Sequence, residues 1–466
     1  MLSMRYGLTA LEKLLHHLQL HNKKADGAKS THSSNSQPTE LAIADTVLAL
    51  SLNPQVNKID LNFYRFSLYR LGKRLIELLK PLLESSTTIS EFDLSYNNLS
   101  DEGIEILCES ILINQHSAIK ILRLKGNDIG DRGAAALAKL LKNNAQLEEL
   151  ELYDNQITAL GFGQLVFALQ FNHSLKKLEL VKNKISDQHA EEVKESIRLG
   201  LQNNKFLKEL RLSYNAISDR FINFLSDGLK QNSALQVLSL FDNKITADGI
   251  KTLANALTNN NALQDLKLGM NTIGDKGAEA LGNMLKKNHS LLKLDLSDDK
   301  IMDIGAGHLS EGLKCNNALW EMGLNFNNIT NTGATMLADA LEGNQKSGLT
   351  IMNLKKNLIK EEGCNRLTAL MQTRLKLTID LTHNEVDKYS SQYRFFNKIR
   401  ERNKSIIIED NPYKRRKIIE EATSQHSVPS LFELSIFAVK EHISKNEYNK
   451  LNLPEHIYRH FLRSYY

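Results

Sequence analysis

One eleven-residue pattern, L-x-x-L-x-L-x-x-N-x-I, recurs through most of this 466-residue chain and leaves few folds open to it. It reads LEELELYDNQI at 147–157, LKKLELVKNKI at 175–185, LKELRLSYNAI at 207–217, LQVLSLFDNKI at 235–245 and LQDLKLGMNTI at 263–273. Further copies begin at 89, 119, 291, 319 and 349. A worn one ends in LTIDLTHNEV at 377–386, and VNKIDLNFY at 56–64 reads as a degenerate first strand. The Asn of the pattern falls at 97, 127, 155, 183, 215, 243, 271, 327, 357 and 384, with Asp299 filling the one gap, and most steps are 28 residues. Self-similarity at a fixed period of this size specifies a stack of like units, each burying its apolar face against the next.

The spacing predicts what each unit does. The L-x-L core is a short strand whose leucines point one way with period two. Strands of successive units pair in parallel. The Asn amide bonds backbone groups of adjacent turns, so that buried polar groups are satisfied. Asp299 accepts such bonds but has no amide hydrogen to donate, and its rung is expected to be locally weaker. The second half of each unit reads as a helix: in ITADGIKTLANALTNNNAL (245–263), Ile250, Leu253, Ala254 and Leu257 fall at i, i+3, i+4 and i+7. The Asn pairs that follow several helices, such as Asn143-Asn144, Asn203-Asn204 and Asn259-Asn260, suit a cap and turn. With motifs such as NTIGDKGAEALGNMLKKNHSL (271–291), the chain resembles the ribonuclease-inhibitor-like class of leucine-rich-repeat proteins over roughly residues 50–386. That resemblance implies an α/β horseshoe, with parallel strands on the concave face and helices on the convex one. It does not imply a ligand, because the scaffold hosts many.

Side chains between the strand leucines should face the concave side. The last two such positions before the Asn carry Tyr96, Tyr153, Tyr214, Phe241, Met270 and Phe326. These residues are the candidate protein-binding face, since aromatic and Met side chains are enriched at interfaces. The competing reading is that stacked units bring like positions together and the rings simply pack on one another. Charges beside the stripe are mixed: Glu149, Glu151, Asp154 and Glu209 against Lys177, Lys182, Arg211 and Lys267. Such a face suits a protein partner better than a polyanion. Trp320 is either an exposed anchor or a residue packed under the next unit.

The expected organisation is an N-terminal amphipathic helix over 1–21, a flexible linker over 22–40, the solenoid over 41–386, a capping helix and basic connector over 387–425, and a small all-α region over 426–466. The first helix carries Leu8, Leu11, Leu14, Leu15 and Leu18, and either caps the solenoid or binds a partner. Near the C-terminus, Leu431, Ser435 and Val439 lie at i, i+4 and i+8 on one helix face, and Leu453-Pro454 precede Ile457 and Phe461. This segment resembles a SOCS box. The resemblance implies that Leu431, Ser435 and Val439 contact elongin B/C, and that Leu453, Pro454, Ile457 and Phe461 contact a cullin. Ser435 stands where the family has Cys, and Asn452 where it has the first Pro, so cullin-2 and cullin-5 both stay open. The implied function is a substrate receptor of an elongin–cullin ubiquitin ligase. The alternative is a stand-alone scaffold or inhibitor whose last helices cap the chain or make another protein contact. Eukaryotic-like modules in a chain rich in Asn, Lys, Ile and Leu also fit an effector of an intracellular bacterium acting in a host cytosol.

Other classes find no support in the sequence. The net charge is +5, and residues 385–466 hold 15 Lys/Arg against 11 Asp/Glu, so the repeats are near neutral and lack the basic stripe of nucleic-acid binders. No Gly-rich phosphate loop, H-E-x-x-H, G-x-S-x-G or Cys/His cluster occurs, so neither catalysis, a metal nor a cofactor is expected. Three scattered cysteines, Cys108, Cys315 and Cys364, argue for a reducing, cytoplasmic setting with the thiols packed as small apolar groups. Lys414-Arg415-Arg416-Lys417 reads as a solvated turn or a nuclear signal. No apolar run is long enough for a membrane span.

Overall fold

The computed structural model describes residues 56–62 and 72–407. The expected first helix and linker, the basic cluster at 414–417 and every residue of the SOCS-box-like segment, from Leu431 to Phe461, lie outside the described residues.

Within them, strand and helix alternate without exception. The strands are β1 (Lys58–Asp60), β2 (Glu91–Asp93), β3 (Ile121–Arg123), β4 (Glu149–Glu151), β5 (Lys177–Glu179), β6 (Glu209–Arg211), β7 (Val237–Ser239), β8 (Asp265–Lys267), β9 (Lys293–Asp295), β10 (Glu321–Gly323), β11 (Ile351–Asn353) and β12 (Thr378–Asp380). The helices between them are α1 (Lys73–Ser85), α2 (Ser100–Ile113), α3 (Asp131–Asn143), α4 (Ala159–Leu169), α5 (Ala190–Asn203), α6 (Asp219–Leu229), α7 (Ala247–Leu257), α8 (Gly274–Leu285), α9 (Asp303–Leu313), α10 (Asn331–Gly343) and α11 (Glu361–Thr373), and α12 (Ser391–Ile407) follows β12. All twelve strands pair in parallel, in sequence order, as one sheet. The horseshoe expected from the repeat is the fold observed.

Each strand is only three residues long, and the middle one points inward. Leu150, Leu178, Leu210 and Leu238 align across four consecutive strands and are completely buried. Helix side chains close the core from the other side, including Ile250, Leu253, Ala254 and Leu257 at the predicted spacing. Removing apolar surface from water supplies the main drive for such stacking. Helix-to-helix spacing is set where small residues allow contact. A Cβ on Gly200 of α5 would stand 2.1 Å from the Val166 carbonyl oxygen of α4, so only glycine permits that approach.

Three hydrogen-bond ladders run along the stack. The first is the one the repeat Asn predicts. Asn155 Nδ2 donates to the carbonyls of Leu124 and Leu152, while its Oδ1 accepts from the backbone N–H of Asn127 and Ile129. The second uses the Asn that follows most of the helices. Asn260 Nδ2 donates to the carbonyls of Leu229 and Asn232, one repeat back, and its Oδ1 accepts from Ala262 and Leu263. Read locally, these asparagines are caps; in the fold they join neighbouring repeats. The third ladder runs through the helix starts. Asp131 Oδ1 accepts from Thr158 and Gly161 of the next repeat, and Asp303 repeats the arrangement with Thr330 and Gly333.

At the C-terminal end, α12 packs on α11 and on the edge strand β12. Phe396 is fully buried, and Asn403, also fully buried, donates from Nδ2 to the carbonyls of Met371, Arg374 and Leu377. The second ladder therefore ends on a residue of the last described helix. Trp320 is 6% exposed, which decides the sequence ambiguity in favour of packing; the Lys293 ammonium lies 5.4 Å from its ring centroid. Cys108 and Cys364 are buried as expected of small apolar groups, whereas Cys315 is exposed. Burial pushes the Cys364 thiol up to about 11, and pushes Cys108 up as well.

Candidate protein-binding face

The strand register sorts the concave side chains into rows. Residues flanking the buried leucine of one strand stand beside their counterparts on the next, as Lys177 does between Glu149 and Glu209, or Glu151 between Arg123 and Glu179. Opposite charges in adjacent strands are favourable neighbours, and over β1–β6 they form one chain of ion pairs. Lys58 binds Glu91, which also meets Arg123. Glu151 receives Lys125 and Lys177, each at 2.7 Å. Lys177 reaches on to Glu179 at 3.6 Å, and Arg211 contacts Glu179 and Glu209. Burial alone would raise the Glu151 carboxyl; its bonds to Lys125 and Lys177 outweigh that and hold it below the usual carboxylate range. This half of the face is neutralised within itself.

The aromatic candidates are not all strand residues. Tyr153 and Phe241 keep the outward parity of β4 and β7. Tyr96, Tyr214, Met270 and Phe326 lie one residue further on, directly before the ladder Asn, with φ of 61°, 56°, 58° and 61°. The same left-handed conformation is imposed at that position on Gly126, Asp154, Lys182, Asp242, Asp298, Lys356 and His383. The cause is the Asn ladder: the chain must turn sharply after the strand to bring the Asn side chain back under its own Leu carbonyl. The expectation that these four residues sit within strands is therefore corrected. They form a rim row along the edge of the concave face.

The structure brings the candidates together in groups rather than in one stripe. The Tyr214 and Phe241 rings stand 5.7 Å apart, tilted by 50°. Phe241 leans over Gly269 of the next repeat, where a Cβ would lie 3.0 Å from its ring. The Tyr96 ring covers Gly126 in the same way, with only 2.3 Å left for a Cβ. Tyr153 lies 5.8 Å from the Lys182 ammonium, and Phe326 lies 4.5 Å from that of Lys356. Tyr214, Met270 and Phe326 are 48%, 40% and 42% exposed. Tyr96, Tyr153 and Phe241 are half-buried.

Among the described residues, no group of His, Cys, Asp and Glu could hold a metal ion, and no helix is long and apolar enough to cross a membrane.

Comparison with known proteins points to the same repeat. The TMOD/LMOD Leucine-rich domain matches residues 183–301, and a general Leucine Rich repeat matches 85–108, 116–138 and 171–188. Among solved structures, one described as Leiomodin-1 Actin-Binding Site 2 (ABS2) is 20% identical with a TM-score of 0.28, over 34% of this chain and 88% of that one. The tropomodulin C-terminal domain of Caenorhabditis elegans is 14% identical with a TM-score of 0.28, over 37% of this chain and 97% of that one. Likeness at that level carries no functional argument. No curated protein matches the sequence. Repeat pattern, strand order and family matches agree on one statement: this chain is a leucine-rich-repeat protein, built as an α/β solenoid.

Proposed function

We propose that the chain is a non-catalytic protein-binding scaffold that captures a target protein on its concave face and the adjoining rim. The observation that carries this reading is the set of bulky apolar residues on the rim. A left-handed backbone favours Gly, Asn or Asp and costs other residues about 1–2 kcal/mol each. Tyr214, Met270 and Phe326 bear that cost with side chains two-fifths or more exposed, where they add little to the chain's own core. Strain of this kind is retained where it serves a function. Replacing Tyr214 and Phe241 together by Ala should weaken target binding by about 2 kcal/mol or more, while thermal unfolding stays unchanged because neither side chain is in the core. Proximity labelling with the intact chain supplies the target for that measurement. If the double variant labels and binds as the parent does, the target uses another surface.

A second reading, that the scaffold is the substrate receptor of an elongin–cullin ubiquitin ligase, is favoured by the sequence segment containing Leu431, Ser435, Val439, Leu453, Pro454, Ile457 and Phe461 alone. Its test is a pull-down with elongin B/C. The parent should bind, and Leu431→Asp, which places a charge in an apolar pocket, should abolish binding without lowering the unfolding temperature. No binding by the parent at micromolar concentrations leaves the scaffold alone.

A further inference from the structure

The rim row alternates. From the fifth repeat of the ladder onward it reads Tyr214, Asp242, Met270, Asp298, Phe326, Lys356, one residue per repeat, all with φ between 51° and 61°. A shared backbone conformation in parallel, in-register repeats makes this a one-dimensional lattice. Its step is the distance between neighbouring strands, about 4.8 Å. Apolar side chains therefore recur about every 10 Å, with a carboxylate midway between each pair.

The carboxylates are uncommitted. Asp154, earlier in the same row, is paired with Lys182 at 3.0 Å. Among the described residues, neither Asp242 nor Asp298 has a cation within ion-pairing distance, although Asp298 is exposed and Asp242 half-exposed. The first half of the concave face spends its charges internally; the second half of the rim leaves negative charge facing outward between apolar groups.

We infer that this row, from Tyr214 to Phe326, is the docking track for an amphipathic helix of the partner, laid across the strands, with apolar residues seven apart and Lys or Arg midway between them. The inference rests on the reading of the concave face and rim as the target-binding surface, and names the chemistry of what binds there. Seven helical residues rise about 10.5 Å, close to two strand spacings. Residues three and four further along lie on the same helix face, so a basic side chain there arrives over Asp242 or Asp298. An extended peptide does not match: three residues also span about 10 Å, but with period two the third neighbour points to the opposite side. A polyanion is repelled by the same two carboxylates.

The test uses the full chain and synthetic alanine-based helical peptides, read by fluorescence anisotropy. The matched peptide carries three leucines seven residues apart with lysines midway. One control moves the leucines off the common face at constant composition; a second replaces the lysines by glutamates. The matched peptide should bind about tenfold or more tightly than either control, since facing like charges are strongly unfavourable. Asp242→Lys/Asp298→Lys should reverse the preference between the lysine and glutamate peptides. The lattice accepts Lys at this conformation already, at Lys182 and Lys356, so the variant should fold, which circular dichroism checks. Equal binding of matched and respaced peptides, or an unchanged ranking in the double variant, overturns the inference. So does a parent chain that sediments as a dimer broken by the double variant, because a second copy then occupies the row. Failure of the peptides while Tyr214→Ala/Phe241→Ala still loses its target removes the helix track and leaves the concave-face reading standing. Retention of the target by that alanine variant removes the reading itself.

Discussion

Asp299 is the one carboxylate in a ladder of asparagines, and its replacement by Asn should make the stability of the chain far less dependent on pH. Its Oδ1 accepts from the Asn271 N–H at 2.9 Å, as an amide oxygen would. Where the neighbouring rung donates from Asn327 Nδ2 to the Leu296 and Leu324 carbonyls, Oδ2 of the fully buried Asp299 has no partner. Burial raises the Asp299 carboxyl from 3.8 to about 8; the Asn271 N–H opposes that shift, and the nearby Asp295 and Asp298 add to it. The group is therefore neutral in the fold at pH 7 and ionised in the unfolded chain. Folding takes up one proton throughout the window between the two values. Stability is full below about pH 4, falls as pH rises through the window at about 1.4 kcal/mol per unit, and levels off above about pH 8. Between pH 5 and pH 8 this group alone removes about 4 kcal/mol.

Asn cannot ionise, and its amide keeps a donor at that place at every pH. The difference in unfolding free energy between Asp299→Asn and the parent should therefore widen by about 4 kcal/mol from pH 5 to pH 8, with the variant more stable at the upper end. Urea unfolding at several pH values gives the difference. Because a solenoid can open locally, hydrogen exchange of the Asn271 amide gives the same quantity at the rung itself. A difference constant with pH, or a variant less stable than the parent at pH 8, refutes the argument. Either result would mean that the carboxylate is ionised and satisfied in the fold.

Two further substitutions probe the stack itself. Gly200→Ala should cost about 1–3 kcal/mol, because its Cβ meets backbone and not a flexible side chain and α5 must shift away from α4; a melting temperature equal to the parent's would show that the helix contact is loose. Asn403→Ala strips three carbonyls, those of Met371, Arg374 and Leu377, of their shared donor, and should lower stability by about 1–3 kcal/mol and speed hydrogen exchange first in α11 and β12; exchange that rises instead at the β1 end would show that these bonds do not hold α12 to its neighbours.

How much of this was readable from the sequence depends on how far each interaction reaches. The inward leucines and the first Asn ladder were legible because their signal repeats inside each eleven-residue window. Along the chain the second ladder looks like a set of caps, since Asn260 is a plausible turn residue where it stands; its donors go to carbonyls 28 and 31 residues back, and only the recurrence of Asn at the repeat period hints at that. The Asp at several helix starts and the Gly of the following repeat's helix carry a similar signal. Asp219 Oδ1 lies where a Cβ on Gly249 would be, at 2.3 Å, so carboxylate and glycine specify each other across repeats.

The rim was misplaced for a different reason. Backbone sign is not written in side-chain polarity, and Tyr214, Met270 and Phe326 are poor markers of a left-handed turn. Gly126, Asp154, Asp242 and Asp298, at the same repeat position, are good ones. Comparing like positions down the stack, instead of neighbours along the chain, exposes the turn. The same comparison shows which residues depart from what the turn prefers, and those departures are where the backbone gives no reason for the side chain. In a scaffold whose every repeat solves the same folding problem, a residue that the fold disfavours and leaves exposed is the part of the sequence that folding does not account for. Tyr214, Met270 and Phe326 meet that description, while Asp242 and Asp298 between them suit the turn yet stay unpaired. The alternation of the two kinds is thus a property of the surface and not of the solenoid, which is why its spacing can be read as the spacing of something that binds.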